Sequence, residues 1–451
     1  MPISGKINSY FRKKNLTSRS ENRCKLSFKK KMSKYNIRQA FGDWFVIFRD
    51  ELINVFRDQG VLIFFVLVPI GYPLLYAYIY NKETVREVPA CVVDEGSTKL
   101  SRDFIRRVDA TADVDVVAHC ANMQEAKELV RQRKVYGIIR LPRSFSSDIA
   151  RMKQTSVGLY VDMSGMLYYK ALLMSCTNVS LDMGAELKVM RSPGTTKEVD
   201  AVTQHPIEYR QVDIFNPTAG FASFLIPAFL ILLLQQTIVL GVGLSAGTAR
   251  ERNSYAELLP INRHYHGLAR IVLGKGSAYL LFFLWNAFYC LFIVPKMFSL
   301  PQIGAPWDIW LITLPYLIAI TAFAMTCSLL IRQRETAFMI IVFCSVPLLF
   351  LSGVSWPGWA VPKFWKVISW AFPSTFGINA FVKVNTTGAR LIDVSHEVIC
   401  LWIQAAVYFG TTLLVYRNNI AASHRRMVEK KEDIRKRLEQ RREQAEDGGK
   451  P

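Results

Sequence analysis

The chain of 451 residues is 51% hydrophobic and 20% charged, with a formal net charge of +20. A mean hydropathy of +0.17 is too apolar for an ordinary soluble enzyme and suits a polytopic membrane protein with sizeable aqueous parts. The basic excess sits at the two ends, around Lys13, Lys14, Lys29, Lys30 and Lys31 and around Arg425, Arg426, Lys430, Lys431 and Arg435; beside several apolar runs, such tails read as positive-inside anchors and not as a nucleic-acid surface.

Residues 1–38 are basic and without periodicity, which predicts a disordered cytoplasmic tail. An amphipathic helix is expected over 39–60, with Phe41, Trp44, Phe45, Phe48, Leu52, Ile53 and Phe56 at helical spacing and Asp43, Arg49, Asp50, Arg57 and Asp58 opposite. Trp44, Phe48 and Phe56 would then rest in the headgroup plane. Residues 61–80 read as the first span, interrupted by Pro69 and Pro73 and edged by Tyr72, Tyr76, Tyr78 and Tyr80, the aromatic belt of an interface.

Residues 81–212 read as a water-soluble insertion. Strands are expected at 88–94, 114–117, 135–141 and 157–161, alternating with helices at 99–108, 124–132 and 143–151, a compact α/β domain with a mainly parallel sheet. A long helix over 167–189 follows. No GxGxxG follows any strand, so a dinucleotide site has no support. Asp94, Asp109 and Asp162 stand beside strand ends, where carboxylates are caps and turn formers more often than catalysts, and no catalytic residue is assigned. The eight cysteines show no CxxC or metal-ligand spacing, so no metal site is expected.

Residues 213–416 hold the remaining membrane part. A run of about twenty residues without a charge is long enough to cross a hydrocarbon core as one helix, and 219–243 is such a run. Gln235 and Gln236 within it are candidates for lining a translocation path, or for tying helices together. A charged turn at 247–260 then packs Arg250, Glu251, Arg252 and Asn253 between two spans, a small rigid element suited to being pushed from outside the membrane. Further runs at 271–294, 307–331, 337–351 and 398–415 bring the expected total to six transmembrane helices. The segment 355–380, with Trp356, Trp359, Trp365 and Trp370, reads as a re-entrant structure at the outer interface. With arginines at 250, 252, 263, 270, 332 and 334, the basic loops and both tails, the second being 417–451, share one side if the termini are cytoplasmic, which makes the α/β domain extracytoplasmic.

Several pieces stand in a collinear order: Phe56-Arg57-Asp58, Val92-Val93-Asp94, Tyr136-Gly137-Ile138-Ile139-Arg140-Leu141-Pro142, Phe215-Asn216-Pro217, Arg250-Glu251-Arg252 running to Pro260, Gly274-Lys275, Phe350-Leu351-Ser352-Gly353 and Pro373-Ser374-Thr375. In this order the chain resembles the permease subunit of a type-2 ABC exporter, of the subgroup with a large extracytoplasmic domain between spans one and two. The resemblance implies a subunit in the bacterial inner membrane that exports a drug, lipid or other amphiphile. Its implied partners are ABC ATPase subunits, a second permease (the same or a different chain) and membrane lipid, with a periplasmic membrane-fusion adaptor as a further candidate. No GxxxxGK[ST] phosphate loop occurs in the sequence, so ATP-Mg is expected on the partner ATPase and no cofactor on this chain. In this reading Arg250, Glu251, Arg252 and Asn253 meet the ATPase. The competing readings are a membrane-anchored sensor with a ligand-binding outer domain, and a proton-driven transporter, which would place carboxylates or histidines deep in its spans.

Overall fold

The computed structural model describes residues 37–81, 84–191, 196–204, 212, 214–216, 220–251, 268–331 and 333–417. All but the innermost residues of the two expected basic tails lie outside them. The chain divides into two compact units, Ala77–Phe224 and the combination of Met1–Tyr76 with Leu225–Pro451.

The amphipathic segment forms α1 (Ile37–Arg57). It stops at Asp58, whose extended backbone and carboxylate cap the next helix by accepting from the N–H groups of Gly60 at 3.0 Å and Val61 at 3.3 Å. That helix, α2 (Gln59–Ile79), is apolar throughout and long enough to span.

The Ala77–Phe224 unit is a four-stranded sheet with helices on both faces. Its strands, β1 (Val88–Asp94), β2 (Val114–His119), β3 (Gly137–Leu141) and β4 (Gly158–Val161), take the order β2-β1-β3-β4; β1 pairs parallel with β2 and β3, and β4 is an antiparallel edge. The helices are α3 (Lys99–Asp109), α4 (Met123–Arg131), α5 (Phe145–Ala150), α6 (Met166–Arg191) and α7 (Lys197–Gln204). Strand β1 is buried on both sides, which is why it reads as an unbroken apolar run. Val88, Ala90 and Val92 face Phe104, Val108, Phe145 and Leu172, while Cys91 and Val93 face Ala126 and Val135. The three aspartates expected as caps all bond backbone: Asp94, the last residue of β1, accepts from Gly96 and Ser97, Asp109, the last residue of α3, from Val116, and Asp162, just after β4, from Ser164. Arg107 ties α3 to α6 through a two-pronged bond to Glu186, both contacts 2.8 Å, and its guanidinium holds the Glu186 carboxyl below the usual range.

The second unit continues with α8 (Phe221–Glu251), α9 (Leu268–Met297), α10 (Pro306–Ser328), α11 (Arg334–Leu351), α12 (Lys363–Ser369), α13 (Pro373–Thr387) and α14 (Leu391–Arg417). Among the described residues five helices are long and apolar enough to cross a bilayer: α2, α8, α9, α10 and α14. The run expected as another span forms α11, whose 18 residues cover about 27 Å, slightly less than a ~30 Å core. Five of the six expected spans thus stand out among the described residues, and the remaining run forms the shorter α11. The aromatic segment expected at the outer interface divides into two parts. Helix α12 exposes Phe364, Trp365 and Val367, whereas α13 is buried along Ser374, Gly377, Ile378 and Phe381 and ends at Gly388 in the left-handed conformation (φ +67°). A Cβ on Gly377 would lie 2.4 Å from the Tyr316 ring, so a glycine is required for α13 to reach α10.

Three prolines of the spans, Pro69, Pro73 and Pro295, follow one rule. Proline has no N–H, so an interior proline strips the carbonyl four residues earlier of its helical partner. In hydrocarbon no water replaces it, and a neighbouring side chain must. Pro69 releases the Phe65 carbonyl, which accepts from Asn286 Nδ2 at 2.8 Å, and Pro73 releases the Pro69 carbonyl, which faces Cys290 Sγ at 3.4 Å. Within α9, Pro295 releases the Leu291 carbonyl, which accepts from Gln302 Nε2 at 2.7 Å. A turn of π-helix precedes two of these prolines, at Ile63–Leu67 and Tyr289–Ile293, the local widening that a broken ladder produces.

Candidate functional site

Helix α1 presents Asp43, Ile47, Glu51 and Val55, spaced four apart and all at most 3% exposed, to α9. Charged residues survive such burial only when paired, and α9 supplies the partners. Arg270 Nη1 lies 2.7 Å from Asp43 Oδ2, Lys275 Nζ lies 3.0 Å from Glu51 Oε2, and the Tyr279 hydroxyl donates to Glu51 Oε1. Gly274 sets the helix separation, since a Cβ there would sit 2.7 Å from Ile47 Cγ2. Asp43 was expected on the solvated face; the structure buries it, because Arg270 neutralises it there.

The aromatic side of α1 is a separate face. Trp44 stacks between Phe41 (5.3 Å) and Phe48 (5.5 Å), and Phe56 meets Phe282 at 5.5 Å. Trp44 and Phe48 are half-buried while Phe41, Phe45, Ile53 and Phe56 are exposed, leaving an apolar surface beside the bundle.

A second cluster joins the ends of three elements. Asp58 accepts from Arg334 Nη2 at 3.1 Å, and the backbone N–H of Arg334 donates to Glu251 Oε1 at 2.6 Å, so that Glu251 caps α11. A carboxylate at a helix start is favoured by the free N–H groups and by the helix dipole. Arg250 donates to the Ile331 carbonyl. Gly247 makes the crossing possible, because a Cβ there would lie 2.9 Å from both Cα and N of Arg334. Residues 247–251, expected in a loop, form the last turn of α8: Ala246, Thr248 and Ala249 are buried, and that burial holds the turn helical. Arg252 and Asn253 lie outside the described residues.

Of the two glutamines on α8, Gln235 is 2% exposed and bonds at both ends to one residue. Its Oε1 accepts from the Ser374 N–H at 2.7 Å and its Nε2 donates to Ser374 Oγ at 3.0 Å, which ties α8 to the start of α13. Gln236 differs, with a buried Nε2 that has no partner among the described residues.

The sequence reading passed over Glu51 and used Lys275 only as part of a motif. The available signal was the pairing of Asp43 and Glu51 on one helical stripe with Ile47 and Val55, matched by Arg270 and Lys275 at the start of a later apolar run.

A family model described as ABC-2 family transporter protein matches residues 60–414. The linearmycin resistance permease protein LnrN of Bacillus subtilis (strain 168) is 23% identical over 405 residues, covering 81% of this chain and 97% of that protein. A match over most of the chain, five spanning helices and an inserted α/β unit lead to one conclusion: the chain belongs to the ABC-2 family of transporter proteins and is a multi-pass membrane subunit of an ABC transporter.

Proposed function

We propose that this chain is the permease half of an exporter, with six spans and both termini in the cytoplasm of a bacterium, assembled with a second permease and two ABC ATPase subunits that carry ATP-Mg. The cargo is an amphiphile such as a drug or lipid; likeness to a resistance permease supports that class. The observation that carries the reading is the cluster of Asp58, Arg334 and Glu251. It links α1, the end of α8 and the start of α11, so a push on the last turn of α8 reaches three elements at once. Gln236, with its unpartnered amide, is the better of the two candidates for the path, and Gln235 acts as a tie.

Glu251→Gln keeps an acceptor for the Arg334 N–H but removes the charge offered to an ATPase. It should leave thermal stability unchanged while lowering ATP-dependent export, and Glu251→Lys should abolish export with the subunit still inserted. Undiminished export in both variants would rule out this turn as the transmission element.

Orientation is tested by thiol labelling in intact cells. A cysteine at exposed Asp115 on β2 should react with a membrane-impermeant maleimide, whereas Asn22→Cys and Lys430→Cys should be shielded. Within the α/β unit native background is low because Cys91, Cys120 and Cys176 are buried, and burial pushes the Cys91 thiol up to about 12 and Cys176 to about 11, leaving little reactive thiolate at neutral pH; half-buried Cys327 and Cys400 are replaced by serine in the labelled variants. Labelling of either tail from outside would reverse the assignment.

A further inference from the structure

A cavity of about 550 Å³ opens beside the buried ion pair, between α1, α2, α8, α9 and α10. Its size falls within the roughly 300–1,000 Å³ of small-molecule sites. The walls are mainly polar and are built largely from helix ends, at Asp58, Thr248 and Arg334. The lining holds Glu51, Asp58, Arg57, Lys275 and Arg334. Glu51 pairs with Lys275 and Asp58 with Arg334, which leaves Arg57, an exposed residue at the cavity mouth, as the excess charge; it has no hydrogen-bond or carboxylate partner among the described residues. Deeper in, Thr248 is 8% exposed, and its hydroxyl also lacks a partner among the described residues. A buried hydroxyl without a partner carries a desolvation cost that a ligand oxygen would remove. On the α2 side the cavity meets Ile63, an exposed apolar residue at the start of the spanning stretch.

We infer that this cavity binds a phosphate-bearing anion, with Arg57 holding the phosphate by a charge-assisted bond, the Thr248 hydroxyl donating to a second oxygen, and Ile63 receiving the first carbons of an acyl chain when the phosphate belongs to a lipid. The guanidinium fork suits phosphate oxygens, and the two internal ion pairs keep the remaining lining neutral, so that one added negative charge balances the site. The inference rests on the membrane placement of the chain and is independent of the exporter reading.

The test uses the full chain in neutral detergent, with binding read as protection against thermal denaturation. Three probes are titrated: dioleoylphosphatidylglycerol, inorganic phosphate and dioleoylglycerol. Saturable protection by dioleoylphosphatidylglycerol and none by dioleoylglycerol is the expected result. Protection by inorganic phosphate as well would assign the site to soluble phosphate, and its absence to a lipid headgroup; both support phosphate recognition. Arg57→Gln should weaken binding roughly tenfold, as loss of a charge-assisted bond implies, with Arg57→Lys recovering part of it. Thr248→Val, which keeps the shape and removes the hydroxyl, should weaken binding by about threefold and decides the matter if Arg57→Gln does not fold. Equal protection by dioleoylglycerol, or unchanged affinity in Thr248→Val and in any folded Arg57→Gln, overturns the inference.

Discussion

Glu51→Ala is expected to destabilise the membrane unit by about 3–5 kcal/mol, the usual cost of stranding one member of a buried pair. The Lys275 side chain is 8% exposed and the Glu51 side chain 3%, so water screens little of the loss, and the Tyr279 hydroxyl loses its acceptor as well. The effect should appear as a large drop in the thermal midpoint of the purified subunit and as lower steady-state abundance. A double variant, Glu51→Ala with Lys275→Met, should recover much of the loss, because two apolar side chains replace two charges. A Glu51→Ala subunit that melts with the wild type would show that the pair does not hold α1 to α9.

Gly247→Val should be nearly as severe, through sterics. The added Cβ would meet backbone atoms of Arg334 at 2.9 Å, and backbone cannot rotate away as a side chain can. Overpacking of a tight contact costs about 1–3 kcal/mol or more, and here it would also part Glu251 from the Arg334 N–H and Arg334 from Asp58. Export should therefore fall to background while the chain still inserts. Gly42→Ala is the control: nothing lies within 4 Å of its Cβ position, and on α1 the change should be neutral or stabilising by about 0.5–1 kcal/mol. Wild-type export from Gly247→Val would show that α8 and α11 need not touch there.

How far the sequence could be read depended on where each interaction partner lies. Strand β1 was legible because burial on both faces leaves a continuous apolar run, and the helices of the α/β unit because they alternate with such runs. Apolar length likewise marked the five spanning helices. Asp43 and Glu51 were not legible in the same way, since a carboxylate on an amphipathic helix reads as solvated until its partner is known, and Arg270 and Lys275 are far along the chain. The last turn of α8 was misread for a related reason. Arg250 and Glu251 read as a loop by charge, yet the Ile331 carbonyl and the Arg334 N–H satisfy them within the helix, and no local pattern announces that. Gln235 was open between two roles until Ser374 was placed against both ends of its amide.

The carbonyls released by Pro69 and Pro73 have a mechanical consequence. Their donors, Asn286 and Cys290, belong to α9, so sliding or turning α2 against α9 by even one residue would abandon two bare carbonyls in oil. Together with the Asp43 and Glu51 pairs, this pins α1, α2 and α9 into a single rigid block with no internal slip plane. Whatever stroke the subunit makes, the sliding surface must lie between that block and the remaining helices, and the two prolines that seem to weaken the first span act instead as locking pins.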